Sequence, residues 1–115
     1  QYYMEDMRHR KKEALKLLLL NMKTKLIGES ELSLGTINTT LVSPREVFAE
    51  ALRRNAAAVI LLHNHPSGDP TPSREDVLAT RRVIDAGKII GIELLDHIII
   101  GDNCFISLRD KGFFK

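Results

Sequence analysis

The sequence predicts an α/β fold, a single domain with a mixed β-sheet flanked by helices, and three observations carry that expectation. The run Ala57-Ala58-Val59-Ile60-Leu61-Leu62 is continuously apolar, as in a strand buried on both faces. Ser43-Pro44-Arg45-Glu46 is a helix start, with Ser43 as N-cap, Pro44 at the first helical position and Glu46 placed to close a capping box. Strand-like and helix-like segments are mixed along the chain without internal repeat or low-complexity linker, which argues for sheet and helices in layers.

The elements follow in order. A short helix is expected before about residue 10, then strands over residues 14–20 and 25–34, joined at Asn21-Met22-Lys23-Thr24 as a hairpin. Residues 35–41, β-branched after a break at Gly35, read as a third strand. The helix opened by Ser43 should end near Asn55, and the apolar run then forms a strand over residues 57–63. Pro66-Ser67-Gly68-Asp69-Pro70-Thr71-Pro72 is a proline-stiffened reversal, since each proline fixes φ and narrows the unfolded ensemble. A helix runs from Ser73 to about Ala86, stopped by Gly87 or Gly91. Residues 92–100 form a strand, Gly101-Asp102-Asn103 a turn, and residues 104–108 its hairpin partner.

At 115 residues the chain is one domain, 1–115, long enough to enclose a single core. Its 17 basic and 15 acidic residues leave a net charge of +2, which makes no general case for nucleic-acid or membrane binding. The lone Cys104 excludes an internal disulfide and a cysteine-based zinc cluster, and is expected as a buried strand residue in a reducing cytoplasm. No stretch reaches the roughly 18 apolar residues that cross a bilayer, and the basic, acid-containing start lacks the apolar centre of a signal peptide. The expected location is therefore cytoplasmic.

The chemistry concentrates in His63-Asn64-His65, followed by Ser73 and Asp76, a His-x-His-x7-Ser-x2-Asp spacing. Two histidines at i and i+2 on a strand end present both rings to one face, with Cα atoms about 6 to 7 Å apart, so they can converge on one Zn²⁺ at about 2.0 to 2.1 Å while Asn64 points away. Ser73 and Asp76 also suit an N-cap and a first-turn acid of the following helix. The two roles are compatible, but capping alone gives no reason for the histidines. A zinc hydrolase is the leading reading.

Other polar residues have plainer explanations. Arg8-His9-Arg10-Lys11-Lys12, Arg53-Arg54 and Arg81-Arg82 read as solvated segments, charge-compensating at helix ends. Asp69 in Gly68-Asp69-Pro70 reads as a turn residue, and Ser67 as a hydrogen-bonding partner within the loop. His97, between Asp96 and an Ile-rich strand, is a lesser candidate for a role beside the site. The chain lacks His-Glu-x-x-His, Pro-Cys-x-x-Cys, a Gly-rich phosphate loop and Gly-x-Ser-x-Gly, which sets aside the corresponding chemistries.

The stretch from Ser43-Pro44-Arg45-Glu46 through His63-Asn64-His65-Pro66-Ser67-Gly68-Asp69-Pro70-Thr71-Pro72-Ser73 to Leu95-Asp96-His97-Ile98-Ile99-Ile100-Gly101 resembles the bacterial RadC family, which carries an MPN metalloprotease domain with a JAMM motif. The resemblance covers nearly the whole chain. It implies the MPN architecture, with His63, His65 and Asp76 as zinc ligands and a water in the fourth position. It implies further that Ser73 steadies the oxyanion formed on the attacked carbonyl, and that Glu13, ahead of Ala14-Leu15-Lys16-Leu17-Leu18-Leu19-Leu20, is the general base. The helix-hairpin-helix region common in the family is not among these residues. Eukaryotic deubiquitinating members of the wider superfamily have Ser or Thr between the histidines, where this chain has Asn64.

The expected function is a zinc-dependent metallopeptidase or isopeptidase acting on a peptide or protein substrate. The rival is a catalytically silent MPN module that binds a protein or DNA partner, including in DNA repair, and it would be favoured by loss of a ligand or of the glutamate. By local sequence alone, Glu13 is a surface acid paired with Lys11 or Lys12.

Overall fold

A computed structural model of the chain describes residues 13–32 and 42–114. Within them lie strands β1 (Leu15–Leu20), β2 (Leu26–Leu32), β3 (Ala58–Asn64), β4 (Glu93–Ile100) and β5 (Phe105–Ser107), and helices α1 (Pro44–Arg53) and α2 (Arg74–Ile90). The expected helix before residue 10, the expected strand over residues 35–41 and the basic run at Arg8 to Lys12 lie outside the described residues.

The strands form one five-stranded sheet in the order β2-β1-β3-β4-β5. Only β3 and β4 pair in parallel, joined by the α2 crossover, so the sheet is mixed. Side-chain alternation sorts the sheet into two faces. Leu15, Leu17, Leu19, Val59 and Leu61 meet Val47, Phe48 and Ala51 of α1 and Ala79 and Val83 of α2 in the main core. Ala14, Leu62 and Ile100 form a smaller cluster with Leu18, Ile60 and Ile98 on the other parity. Each large side chain removed from water contributes about 1.5 to 3 kcal/mol, so the helix-covered face carries most of the stabilisation. No helix among the described residues is long and apolar enough to cross a membrane.

Helix ends decide where the loops point. At α2, Ser73 Oγ accepts from the Asp76 amide at 3.0 Å and Asp76 Oδ2 accepts from the Ser73 amide at 2.8 Å, a complete capping box. The box expected at α1 does not form: Ser43 is the N-cap with extended backbone and Pro44 follows, but the Ser43 side chain makes no capping bond. Glu46 is exposed, so burial does not force its carboxylate back onto the chain, whereas Asp76 is 3% exposed and must find partners.

α1 closes on Asn55, left-handed at φ 54°, with Ala56 N donating to Ala51 O at 2.9 Å, near the expected end. α2 runs past Gly87 to Gly91, which takes φ 91°. Gly87 instead permits close packing, because a Cβ there would lie 2.3 Å from Ile92 O. Cys104 departs from expectation. It is exposed, just outside β5, because Gly101 N bonds Cys104 O at 2.9 Å and so makes Cys104 the last residue of the turn.

Candidate metal centre

His63 and His65 stand at the C-terminal end of β3, where parallel β3 and β4 open toward the loop into α2. Ligand sites in α/β sheets favour this end of parallel strands. His63 has the parity of Val59 and Leu61, so its ring points from the sheet toward α2 and is fully buried. Asn64 has the opposite parity, and its Oδ1 accepts from the Ala14 amide at 2.5 Å, tying the strand end to β1.

The loop beyond is pinned rather than free. His65 N donates to Ile100 O at 2.9 Å and Asp102 N to Gly68 O at 2.8 Å. A Cβ on Gly101 would lie 2.2 Å from Gly68 O, so a glycine is needed for this approach. Asp69 Oδ1 accepts from the Thr71 amide at 3.0 Å and the Thr71 hydroxyl at 2.7 Å, bonds that hold its carboxyl below the usual range. Asp69 is thus a turn residue, as its setting predicts, while its backbone oxygen meets His65 Nδ1 at 3.0 Å. Ser67 Oγ accepts from Asp69 N at 3.3 Å, also within the loop.

Capping of α2 aims Asp76 back at the strand end. Its Oδ2 lies 3.2 Å from His65 Nε2 and its Oδ1 3.6 Å from His63 Nδ1. Ligating atoms of His63, His65 and Asp76 all fall within 4.8 Å of one another. The helix N-terminus and the Ser73 amide compensate the buried carboxylate without using all of its lone pairs. His63 Nδ1 is buried without a hydrogen-bond partner, which an apolar core would not favour. Two imidazoles and one carboxylate, with an unsatisfied nitrogen among them, fit a divalent transition metal with a position left open.

Glu13 reaches the same place from β1. The antiparallel register pairs Leu15 with His63, so Glu13, two residues earlier and of the same parity, extends level with the strand end. Its Oε2 lies 2.6 Å from His63 Nε2, a contact between residues 50 apart in sequence. Glu13, His65, Ser67, Ser73 and Asp76 line a cleft of about 360 Å³. A larger groove, about 590 Å³, lies at the opposite ends of β3 and β4 beside Ala57 and Glu93, away from these residues.

Sequence reasoning missed Thr80 and undervalued His97. Thr80 Oγ1 donates to Asp76 O at 2.7 Å and sits 2.6 Å from His97 Nδ1, with both residues buried. Burial, then the neighbouring His63, pushes the His97 pKa down to about 3, so the ring is neutral. The available signal was a hydroxyl one turn after Asp76, on the helix face that also carries Ala79 and Val83.

A family model described as the RadC-like JAB domain matches residues 1–113. Similar curated proteins include UPF0758 proteins of Caldanaerobacter subterraneus subsp. tengcongensis, 55% identical over 96% of this chain and 48% of the relative, and of Desulforamulus reducens, 58% identical over 95% and 48%. Another, from Bacillus cereus strain B4264, is 57% identical over 96% of this chain and 49% of its own length. The chain thus spans about half the length of these relatives, whose names state no activity. With the match running through both histidines, Asp76 and Glu13, the chain belongs to the RadC-like JAB domain family.

Proposed function

We propose that this domain is a zinc-dependent metallopeptidase or isopeptidase that hydrolyses an amide bond in a peptide or protein. The observation that carries the reading is the joint approach of His63, His65 and Asp76, with the Glu13 carboxylate 2.6 Å from the first of them. His63, His65 and Asp76 would hold the ion. A Zn²⁺ held there would supply Lewis acidity and make water a nucleophile near neutral pH.

The chain's own groups do the rest. Glu13 is 29% exposed at its side chain, so it reaches both the buried histidine and the open cleft. Its carboxylate takes the proton of the attacking water and delivers it to the leaving amine, a general acid-base role that contributes about 10² to 10⁴ in rate. Ser73 Oγ already accepts from the Asp76 amide, which leaves its O–H to donate to the oxyanion developing on the scissile carbonyl. Capping and oxyanion binding therefore use different lone-pair and proton positions of one hydroxyl. Retention of every candidate ligand and of the glutamate favours catalysis over a silent binding module.

The test compares zinc content and cleavage of a peptide library by the wild type, Glu13→Gln and His63→Ala. The wild type should carry one Zn²⁺ per chain. Glu13→Gln should keep its metal and lose about 10² to 10⁴ in rate, whereas His63→Ala should lose the metal. Undiminished turnover by Glu13→Gln would refute the assigned base.

A further inference from the structure

Beneath the candidate ligands lies a second layer of polar groups that the reaction itself does not use. Thr80 and His97 are 1% and 0% exposed, set among Leu61, Ala79 and Val83. Apolar side chains would fill such a place at lower cost, since each buried polar group must recover its lost hydration through hydrogen bonds. Thr80 bonds to the backbone of one candidate ligand, Asp76, and to His97, whose ring lies against that of another, His63.

Proton counting fixes the direction of each bond. The Thr80 hydroxyl has one proton, and Oγ1 donates it to Asp76 O at 2.7 Å. Oγ1 is then the acceptor in its 2.6 Å contact with His97 Nδ1, so His97 carries its proton on Nδ1. That bond sets the plane of the His97 ring. Parallel pairing sets its level: His97 is opposite Leu61, one inward-facing position before His63. The His97 ring accordingly stacks on the His63 ring, with centroids 5.7 Å apart and planes inclined by 27°. His63 thus meets Glu13 at Nε2, Asp76 on the side of Nδ1, and His97 across its face. His97 Nε2 is left buried without a partner, which fits a ring placed for its stacking and its Nδ1 bond rather than for its own solvation.

We propose that Thr80 and His97 are positioning residues of the metal centre, coupling the first turn of α2, which carries Asp76, to the ring of His63 so that the two ligands keep one spacing. The proposal rests on the metal reading above. A site assembled from a strand end and a helix start has no local covalent link between its ligands, and this bridge supplies the link. Outer partners of this kind typically account for 10- to 100-fold in metal affinity.

The experiment measures Zn²⁺ affinity by competition with a chromogenic chelator and records the visible ligand-field spectrum of the Co²⁺-loaded protein. It uses wild type, Thr80→Val, Thr80→Ser and His97→Phe. Thr80→Val keeps the shape and removes both bonds, so it should bind Zn²⁺ about 10- to 100-fold more weakly and shift the Co²⁺ bands. Thr80→Ser restores the hydroxyl and should recover affinity and spectrum. His97→Phe fills the ring position, removes the unpartnered nitrogen and should show the same spectral shift in a protein whose metal-free form remains folded. If Thr80→Val failed to fold, His97→Phe and Thr80→Ser would still decide. Wild-type affinity with an unshifted spectrum in either Thr80→Val or His97→Phe would overturn the proposal, as would a Thr80→Ser protein no better than Thr80→Val. Failure of the wild type itself to take up Zn²⁺ would instead sink the metal reading, and this proposal with it.

Discussion

Asp76→Asn separates the two roles that one carboxylate performs. In the metal-free protein, Asp76 Oδ2 accepts from the Ser73 amide at 2.8 Å. An asparagine oxygen can accept the same bond, while its NH₂ replaces Oδ1, which lies 3.6 Å from His63 Nδ1. The capping box survives in outline, so the metal-free protein should change in stability by no more than about 1 kcal/mol. Metal binding should change far more. A four-coordinate zinc site is worth about 10 to 16 kcal/mol, or roughly 3 kcal/mol per ligand, so exchanging the carboxylate for a weakly ligating amide should cost about 100-fold or more in affinity. Ser73→Ala makes the reverse change. It removes the acceptor for the Asp76 amide, worth about 1 kcal/mol of stability, and leaves the ligands in place. The assay is urea unfolding of both variants with and without Zn²⁺. Metal at 100 times its dissociation constant adds about 2.7 kcal/mol to a protein that binds only when folded. Wild type and Ser73→Ala should show that increment and Asp76→Asn should lose it. An Asp76→Asn protein stabilised by Zn²⁺ as much as wild type would refute Asp76 as a ligand.

Acid should destabilise the metal-free protein through His97, whose pKa falls from 6.5 to about 3 on burial. Between those values the unfolded chain binds a proton that the folded one does not, so stability is full above pH 6.5 and falls with decreasing pH, by at most about 1.4 kcal/mol per unit from this group. His97→Phe should flatten the dependence of the urea midpoint between pH 7 and pH 5, and parallel curves would contradict the assignment. Gly101→Ala should destabilise by about 1 to 3 kcal/mol and weaken metal capture, because its Cβ would meet Gly68 O at 2.2 Å and push away the loop that holds His65. Urea titration and chelator competition check both effects, and a neutral substitution would mean that the loop adjusts freely. Duplex DNA should bind weakly and without sequence preference at physiological salt, given the net charge of +2. Tight, selective binding in a fluorescence titration would move a DNA-binding module ahead of the hydrolase.

Parts of this protein whose physics is local are legible in residue order alone. An apolar run before His63 makes β3 a buried strand, and the i, i+2 spacing puts His63 and His65 on one side of its end. Ser73 and Asp76 three positions apart make a helix start, and Gly87 and Gly91 offer two helix stops, of which the structure uses Gly91. Resemblance, rather than any local property, pointed to Glu13. Which of these residues meet depends on how the elements pack. Strand register brings Glu13 against His63 across 50 residues, while Lys11 and Lys12, the local partners its neighbours alone would favour, lie outside the described residues. Burial decided between two sequences that look alike as caps, enforcing the box at Asp76 and leaving Glu46 to water. Turn closure put Cys104 outside, though its flanks read as a strand. Thr80, unremarkable where it stands in the chain, and His97, a lesser candidate there, became partners because α2 lies across the parallel pair at the height of the histidines, and a hydroxyl's single proton leaves them one way to bond.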